Sequence, residues 1–445
     1  MQQHIVIIGN GISGVTAARH IRKRSDHRIT MISKETDYFF SRTALMYIYM
    51  GHMKFENTQP YENWFWEKNK IDLMRDEVKS IDFENKKLSL GKSGTMDYTK
   101  LVLAVGSKPN KFGWPGQDLK GVTGMYSAQD LETIEQYTDG IEKGVIVGGG
   151  LIGIELAEML HSQKIDVSFL VRESSFWNGV LPAQESEMIN KHIYENHIDL
   201  QLGTELKEIL PDDNGRVRAI ITSKDEEIPC QFVGLTAGVS PNTEFLKGSP
   251  LKIERGIVIN EYMETNVEDV YAIGDCAQHT APPPGRRPVE QVWYTGRMMG
   301  EVVGANICGE KIKYNPGPWF NSAKFFDIEY QTYGTVLGNL QENETDFYWE
   351  HEDGKKCVHA VYDKDSKKFI GLNNFGLRLR HEIFDKWLEE ERDIYHVIEN
   401  LGEANFDPEF FDRHEEEIIK KFNSEHPEKQ LKSKYKKSIL QKIFA

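Results

Sequence analysis

The residues of this chain whose type and spacing most directly specify chemistry are two sets of three glycines. One lies in Gly9-Asn10-Gly11-Ile12-Ser13-Gly14, the other in Gly148-Gly149-Gly150-Leu151-Ile152-Gly153. Each reads G-x-G-x-x-G, directly after an apolar, β-branched run (Ile5-Val6-Ile7-Ile8 and Val145-Ile146-Val147) and directly before a helical pattern. In that context the first glycine makes a tight turn, the second lets the backbone approach a pyrophosphate, and the third lets helix and strand pack closely. The pyrophosphate then rests against the N–H groups that open the helix, here those of Ile12 and Ser13 and of Leu151 and Ile152. Two such motifs imply two dinucleotides, and the chemistry that needs both is hydride transfer between a nicotinamide and a flavin.

The elements that position these glycines are set by the patterning. Residues 1–35 read strand, turn, helix from Val15 to Arg24, and strand Arg28–Ile32. Short alternating strands over 71–105 end in Lys100–Gly106. A second strand–turn–helix–strand unit spans 144–171, and strand patterns return over 201–237. A helix is expected from Trp293 to Ile307, and from about 313 the pattern turns to strands, then acidic helices, then a basic tail.

Composition narrows the function classes. The 445 residues suffice for two to four domains with ample cores. A net charge of −15 argues against broad nucleic-acid binding. No apolar run approaches the ~18–20 residues of a membrane span, and the chain enters its first strand without a leader-like segment. Cys230, Cys276, Cys308 and Cys357 are scattered, with no C-x-x-C pair, which points to a reducing compartment, a cytoplasmic address and no metal cluster on this chain.

Five motifs in order carry a resemblance. They are the first glycine fingerprint, Ala104-Val105-Gly106, the second fingerprint, Gly238-Val239-Ser240-Pro241-Asn242, and Thr265-x5-Tyr271-Ala272-Ile273-Gly274-Asp275. Over roughly residues 1–335 the chain resembles the FAD-dependent pyridine nucleotide–disulfide oxidoreductase superfamily. The resemblance implies an α/β fold: two Rossmann-like (three-layer ββα) nucleotide-binding domains plus a smaller C-terminal α/β domain. The FAD-binding domain is expected over 1–112 and 243–312, the NAD(P)H-binding domain over 113–242, and a C-terminal interface domain over 313–445. By resemblance Asp275 and Gly274 meet the ribityl–pyrophosphate part of FAD, and Gly238 lies where the chain crosses back to the FAD domain.

The branch is set by a missing residue type. The segment Tyr38-Phe39-Phe40-Ser41-Arg42-Thr43-Ala44-Leu45-Met46-Tyr47 has no cysteine where the disulfide reductases carry two. Without a thiolate there is no dithiol relay and no sulfenate cycle. The S-R-x-x-L pattern is similar to ferredoxin and rubredoxin reductases, the flavin subunit of nitrite reductases and apoptosis-inducing factor. This similarity places Arg42 near the flavin or its phosphates and Glu155 at the nicotinamide. Relatives pair that glutamate with a lysine five positions after the arginine, where this chain has Tyr47, which puts the pair in doubt. Trp319, in Trp319-Phe320-Asn321-Ser322, is expected either to stack near the flavin or to be a core residue. Cys276 is expected to be a packed residue.

Nucleotide preference turns on strand ends. Val171 stands where an NAD-selective acid belongs. Arg172 suits a 2′-phosphate and Glu173 opposes one, so NADH versus NADPH stays open with a lean to NADPH. On the FAD ribose side Ser33 holds the acidic position and Glu35 comes two residues later. The implied activity is passage of electrons from NAD(P)H through FAD to an iron–sulfur carrier. An NAD(P)H oxidase, a quinone reductase and a redox-sensing interaction protein are the alternatives. Residues 382–419 carry fourteen acids against three bases, and residues 428–445 carry six lysines and one glutamate. Leu431, Tyr435, Ile439, Leu440, Ile443 and Phe444 recur between those lysines at helical spacing. Such a helix packs on its own chain or a homodimer mate, or docks on a partner or a membrane surface.

Overall fold

A computed structural model describes residues 2–283, 285–406 and 412–434. By packing, the chain divides into two compact units, Met1–Arg172 with Thr204–Pro316, and Glu173–Gly203 with Gly317–Ala445.

The first unit is built on two parallel sheets. In one, the strand order is Val270–Ala272, Lys100–Leu103, His4–Ile8, Arg28–Ser33, Ile71–Arg75. Past their first residues its central strands His4–Ile8 and Lys100–Leu103 are apolar because both faces are covered, as parallel sheets require. Ile5, Val6, Ile7, Leu101 and Val102 are fully buried. The second sheet sets Lys143–Val147 between Asp166–Val171 and Phe232–Leu235, with Val122–Thr123 outside the latter. Each sheet has an antiparallel three-stranded companion: Val78–Asp82, Lys87–Leu90 and Thr95–Asp97, and Leu206–Pro211, Val217–Thr222 and Glu227–Pro229. The return segment does two things. Val239–Pro241 pairs antiparallel with Ser107–Pro109, and Val270–Ala272 then extends the first sheet beside Lys100–Leu103.

The helix Ile12–Arg24 packs on helix Trp293–Ile307, which has the expected limits. Glycines at every fourth position make this contact unusually close. A Cβ on Gly296 would lie 2.6 Å from Ser13 Oγ, one on Gly300 2.6 Å from the Ser13 carbonyl oxygen, and one on Gly304 2.5 Å from His20 Cβ. The repeat places all three on one helix face.

The second unit holds a five-stranded antiparallel sheet in the order Phe320–Phe325, Ile328–Gly334, Phe369–Phe375, Cys357–Asp363, Glu344–Glu350. Helices His381–Glu389, Ile394–Asn400 and Glu415–Glu425 cover it through Phe384, Trp387, Val397, Ile398 and Phe422. Within this unit, helix Ala183–Glu195 brings Glu185, fully buried, against the sheet. Its Oε1 lies 3.1 Å from Nδ1 of the buried His359, whose Nε2 meets Asp346 Oδ2 at 2.8 Å. Asn373 Nδ2 donates to Glu185 Oε2 at 2.9 Å. The 3.1 Å approach lies off the hydrogen-bond line, so it acts as a contact between charges. Burial disfavours the imidazolium, but the two carboxylates overcome it and raise the His359 pKa to about 9. This clasp, together with Phe176 and Trp177 against Phe325 and His192 Nε2 at 2.7 Å from Asp327 Oδ1, ties the segment Glu173–Gly203 to the second unit.

The basic tail starts by packing on its own unit. Leu431 is buried and its N–H donates to Asn423 Oδ1 at 2.7 Å, while the Lys434 N–H donates to the Glu399 carbonyl at 2.9 Å. Tyr435, Ile439, Leu440, Ile443 and Phe444 lie outside the described residues. Among the described residues no helix is long and apolar enough to cross a membrane.

These contacts set the expected response to substitution. Gly300→Val forces a side chain into the Ser13 backbone and should cost roughly 1–3 kcal/mol or more in denaturant unfolding, the range for overpacking. His359→Gln leaves Glu185 buried without its cation and should cost about 3–5 kcal/mol at pH 7; adding Glu185→Gln should recover most of it. Linkage gives the sign with pH. A raised histidine pKa gives stability that is complete below the unfolded value of ~6.5 and lost as pH rises through about 9. The wild-type unfolding temperature should therefore fall more steeply between pH 7 and 10 than that of the double variant.

Candidate cofactor-binding site

Each glycine fingerprint forms a cradle, and the two are built alike. Gly9 has φ +111° and a Cβ there would lie 2.1 Å from the Ala104 carbonyl oxygen; Gly148 has φ +119° and its Cβ would lie 2.7 Å from the Thr236 carbonyl. At the third position a Cβ on Gly14 would lie 2.1 Å from the Gly9 carbonyl oxygen, and one on Gly153 would lie 2.2 Å from that of Gly148. The middle glycines differ from these. Nothing lies within 4 Å of where a Cβ would sit on Gly11 or Gly150. Both have extended backbone, φ −72° and −111°, which any residue adopts. The protein itself therefore does not demand glycine at either position, and the space beside each is open. Both begin helices, Ile12–Arg24 and Leu151–Ser162, that carry no side-chain cap and no acid in the first turn. An open cradle beside an uncapped helix N-terminus suits a pyrophosphate.

Around the first cradle a polar network joins four parts of the chain. Arg42, in the short turn Arg42–Ala44, donates to both oxygens of Glu35 at 2.8 and 2.7 Å and also to the Tyr126 carbonyl. Its guanidinium lies 4.5 Å from the centre of the Tyr126 ring and 5.2 Å from that of Phe40. Against the cost of burial, Glu35 holds Arg42 above its ordinary pKa. Glu35 Oε1 also accepts from the Ala128 N–H at 3.0 Å. Tyr126 Oη donates to Asp275 Oδ2 at 3.2 Å and accepts from the Ser107 N–H at 2.9 Å. Gln291 Nε2 donates to Ser107 Oγ at 2.6 Å. Burial pushes the Asp275 carboxyl above its ordinary pKa, while the Tyr126 hydroxyl and the Arg42 charge pull the other way. Burial and the Asp275 charge push the Tyr126 hydroxyl up, so it remains a donor.

The structure thus brings Glu35, Arg42, Gly106 and Asp275 into one network and adds Tyr126, Ser107 and Gln291, which carry no sequence motif. Gly106, at φ +66°, leaves room for Tyr126: a Cβ there would lie 2.7 Å from its hydroxyl. Ala104 is buried under Gly9, and Gly274, at φ +73°, packs on Ser13, whose Oγ would lie 2.3 Å from a Cβ. Ser33 is buried and its Oγ accepts from the Glu35 N–H at 3.2 Å, so it shapes the turn that presents Glu35. Gly238, at φ +83°, sits in the return ribbon, where its carbonyl accepts from the Asn110 N–H at 3.1 Å.

At the second cradle, Glu155 is half-buried one turn into helix Leu151–Ser162. Helix Leu45–Tyr49, which carries Tyr47, packs on that same helix, and Gln163 Nε2 donates to the Tyr49 carbonyl at 3.2 Å. Val171 is fully buried, and a Cβ on Gly149 would lie 2.6 Å from its Cγ1. Arg172 is exposed at the strand end and closes the first unit, while Glu173 belongs to the second. Trp319 is half-buried in the second unit; its carbonyl accepts from the Gly334 N–H at 2.7 Å.

Three of the four thiols are sealed, and the fourth, Cys308, is half-buried. Cys276 is fully buried, donates to the Ile273 and Leu103 carbonyls at 3.3 and 3.4 Å, and is pushed up by burial to about 12. Burial raises Cys230 to about 12 as well, and raises Cys357 well above its ordinary value. Such thiols are protonated and inert near neutral pH.

Gly11→Val and Gly150→Val should leave the fold intact, because the backbone and the space both admit a side chain. Gly11→Val should yield a folded, colourless protein, and Gly150→Val a yellow one that NAD(P)H no longer bleaches. Unfolding free energies within about 0.5 kcal/mol of wild type would show that the loss is of ligand alone. Gly14→Val, by contrast, should fail to fold. Treating the native protein with iodoacetamide at pH 8 should leave NAD(P)H-driven dye reduction unchanged; a loss of activity would reveal a working thiol.

Residues 3–300 match the family model described as pyridine nucleotide-disulphide oxidoreductase. The chain is 29% identical over 401 residues to a nitrite reductase [NAD(P)H] of Bacillus subtilis, covering 88% of this chain and 48% of that protein. It is 30% identical over 390 residues to an NADH-rubredoxin oxidoreductase of Clostridium acetobutylicum, covering 85% of this chain and 94% of that one. The chain spans about half the length of the two Bacillus subtilis relatives it matches. Its fold is that of a ferredoxin reductase from Rhodopseudomonas palustris, with a TM-score of 0.77 at 22% identity, covering 92% of this chain and 96% of that one.

Proposed function

Because this chain belongs to the pyridine nucleotide-disulphide oxidoreductase family, we propose that it is an FAD-dependent enzyme that takes electrons from NAD(P)H and delivers them, one at a time, to a separate iron–sulfur protein of the rubredoxin or ferredoxin kind. The observation that carries this reading is the pair of open glycine cradles at Gly11 and Gly150, built alike within one unit. The first cradle, with Asp275 and the Glu35–Arg42 pair, is assigned to FAD. The second, with Glu155 and Arg172, is assigned to the nicotinamide dinucleotide. In domain terms, 1–112 and 243–312 hold FAD, 113–242 the nicotinamide, and 313–445 form the interface.

When bound, the flavin accepts a hydride and releases its electrons singly. The chain's own residues orient and tune. The helix N-termini after Gly11 and Gly150 neutralise the two pyrophosphates. Tyr126 fixes the Asp275 carboxylate through a 3.2 Å hydrogen bond, leaving a half-buried acceptor for sugar hydroxyls. Arg42, held on both sides by Glu35, places a fixed positive charge beside that acceptor. With Cys276 packed and protonated and no cysteine between Phe40 and Met46, no thiol intervenes on the way out. The name of the Clostridium relative, an NADH-rubredoxin oxidoreductase matched over 94% of its length, supports the class of acceptor.

The experiment is a two-stage mixing measurement. NAD(P)H should bleach the ~450 nm flavin band, and a rubredoxin or ferredoxin should then restore it far faster than air-saturated buffer does. Recovery driven equally well by oxygen or a soluble quinone would assign the chain to the oxidases or quinone reductases. Asp275→Asn with Tyr126→Phe should weaken flavin retention by ten- to a hundred-fold, about 1.4–2.8 kcal/mol, as read by dialysis.

A further inference from the structure

In the second unit, three side chains that no motif connects come together. His351 directly follows the strand Glu344–Glu350, His414 immediately precedes helix Glu415–Glu425, and Glu417 lies in that helix's first turn. One donor atom from each lies within 4.8 Å of the others. We propose that His351, His414 and Glu417 bind a divalent transition-metal ion of borderline softness, with zinc as its type.

The donor set matches that chemistry: two imidazoles and a carboxylate, leaving a fourth position for water. The strongest sign is His414. It is buried, 8% exposed, yet neither ring nitrogen has a hydrogen-bond partner. Leaving a buried polar atom unpaired is costly, and a metal ion removes that cost for the nitrogen it takes. Glu417 Oε1 is 3.6 Å from His414 Nδ1, beyond hydrogen-bond reach. The two histidine rings stand 4.8 Å apart, edge to face, and Trp349 walls both, at 5.6 Å from His414 and 6.0 Å from His351. His351 Nδ1 accepts from the Asp353 N–H at 3.3 Å and also lies 3.1 Å from Asp353 Oδ2, a carboxylate that Lys356 holds in turn. Ligation through Nε2 would move the ring proton to Nδ1, where the Asp353 carboxylate faces it, the support typical of a ligating histidine. Tetrahedral ligation at ~2.1 Å places donors about 3.4 Å apart. Glu417, 55% exposed, is free to turn inward over the remaining distance.

The bound ion would join the 351–356 turn to the helix that covers the sheet. The test uses the full-length, FAD-loaded protein, stripped with a chelator and titrated with zinc by calorimetry at pH 7.5, with magnesium as the hard-cation control. Wild type should bind one zinc and ignore magnesium, and zinc should raise the unfolding temperature. Glu417→Gln, an exposed change that folding tolerates, and His351→Ala should each weaken zinc binding at least about tenfold while flavin content stays at the wild-type level. Absence of zinc uptake by wild type overturns the proposal. So does equal uptake by both variants, which would place any bound zinc elsewhere.

Discussion

Backbone meeting backbone without a side chain between is the constraint on which the first unit rests. A Cβ at Gly9 or Gly14 would enter the carbonyl of Ala104 or Gly9, and one at Gly153 would enter that of Gly148. These contacts seat each helix hard against its strand, and the helix N-terminus comes to lie over the strand end for that reason. The same device recurs where Gly296, Gly300 and Gly304 let helix Trp293–Ile307 settle on the first helix, with Gly274 meeting Ser13 at its start. The anion-binding geometry at Gly11 is thus a by-product of packing enforced on either side of it. Packing requires glycine at Gly9 and Gly14 and leaves Gly11 open, the position assigned above to a ligand.

Around this frame a few charge pairs are withdrawn from water. Arg42 is committed to Glu35 and stacked on Tyr126. Arg286 and Glu290, both nearly sealed from solvent, pair through two contacts at 2.7 and 2.8 Å. In the second unit His359 stands between Glu185 and Asp346. Pairs like these contribute less net stability than apolar packing of the same volume would, but breaking one leaves a buried charge alone. They act as registers, fixing which segments meet.

Much of this is legible in the sequence wherever the signal is local. The strand His4–Ile8, the helix Trp293–Ile307 and the paired fingerprints are set by apolar period and glycine spacing. The first helix starts at Ile12 rather than Val15, because Gly11 caps it and the fingerprint's own residues are already helical. The features that stay hidden depend on residues distant in the chain. Tyr126 precedes an ordinary helix cap and becomes part of the site only because Ser107 and Asp275 reach it. The glycines of Trp293–Ile307 look like poor helix formers until the partner helix is in view. Cysteine spacing, which points away from a metal cluster, is silent on histidines brought together by a hairpin turn and a helix start. Glu35, two residues past the position where a ribose acceptor is expected, is the partner that holds Arg42.

The Glu185–His359 clasp bears on how this protein can be cut and recombined. A linear view divides the chain once, near residue 313, and treats the C-terminal remainder as a detachable module. The buried pair divides it three times, because Glu173–Gly203 leaves the first unit, joins the sheet that carries His359, and hands the chain back at Thr204. A chimera that exchanges only the C-terminal third inherits a histidine without its carboxylate, and its host keeps a carboxylate without its histidine. The heritable module is discontinuous, so an exchange between relatives that preserves the clasp must carry both pieces together.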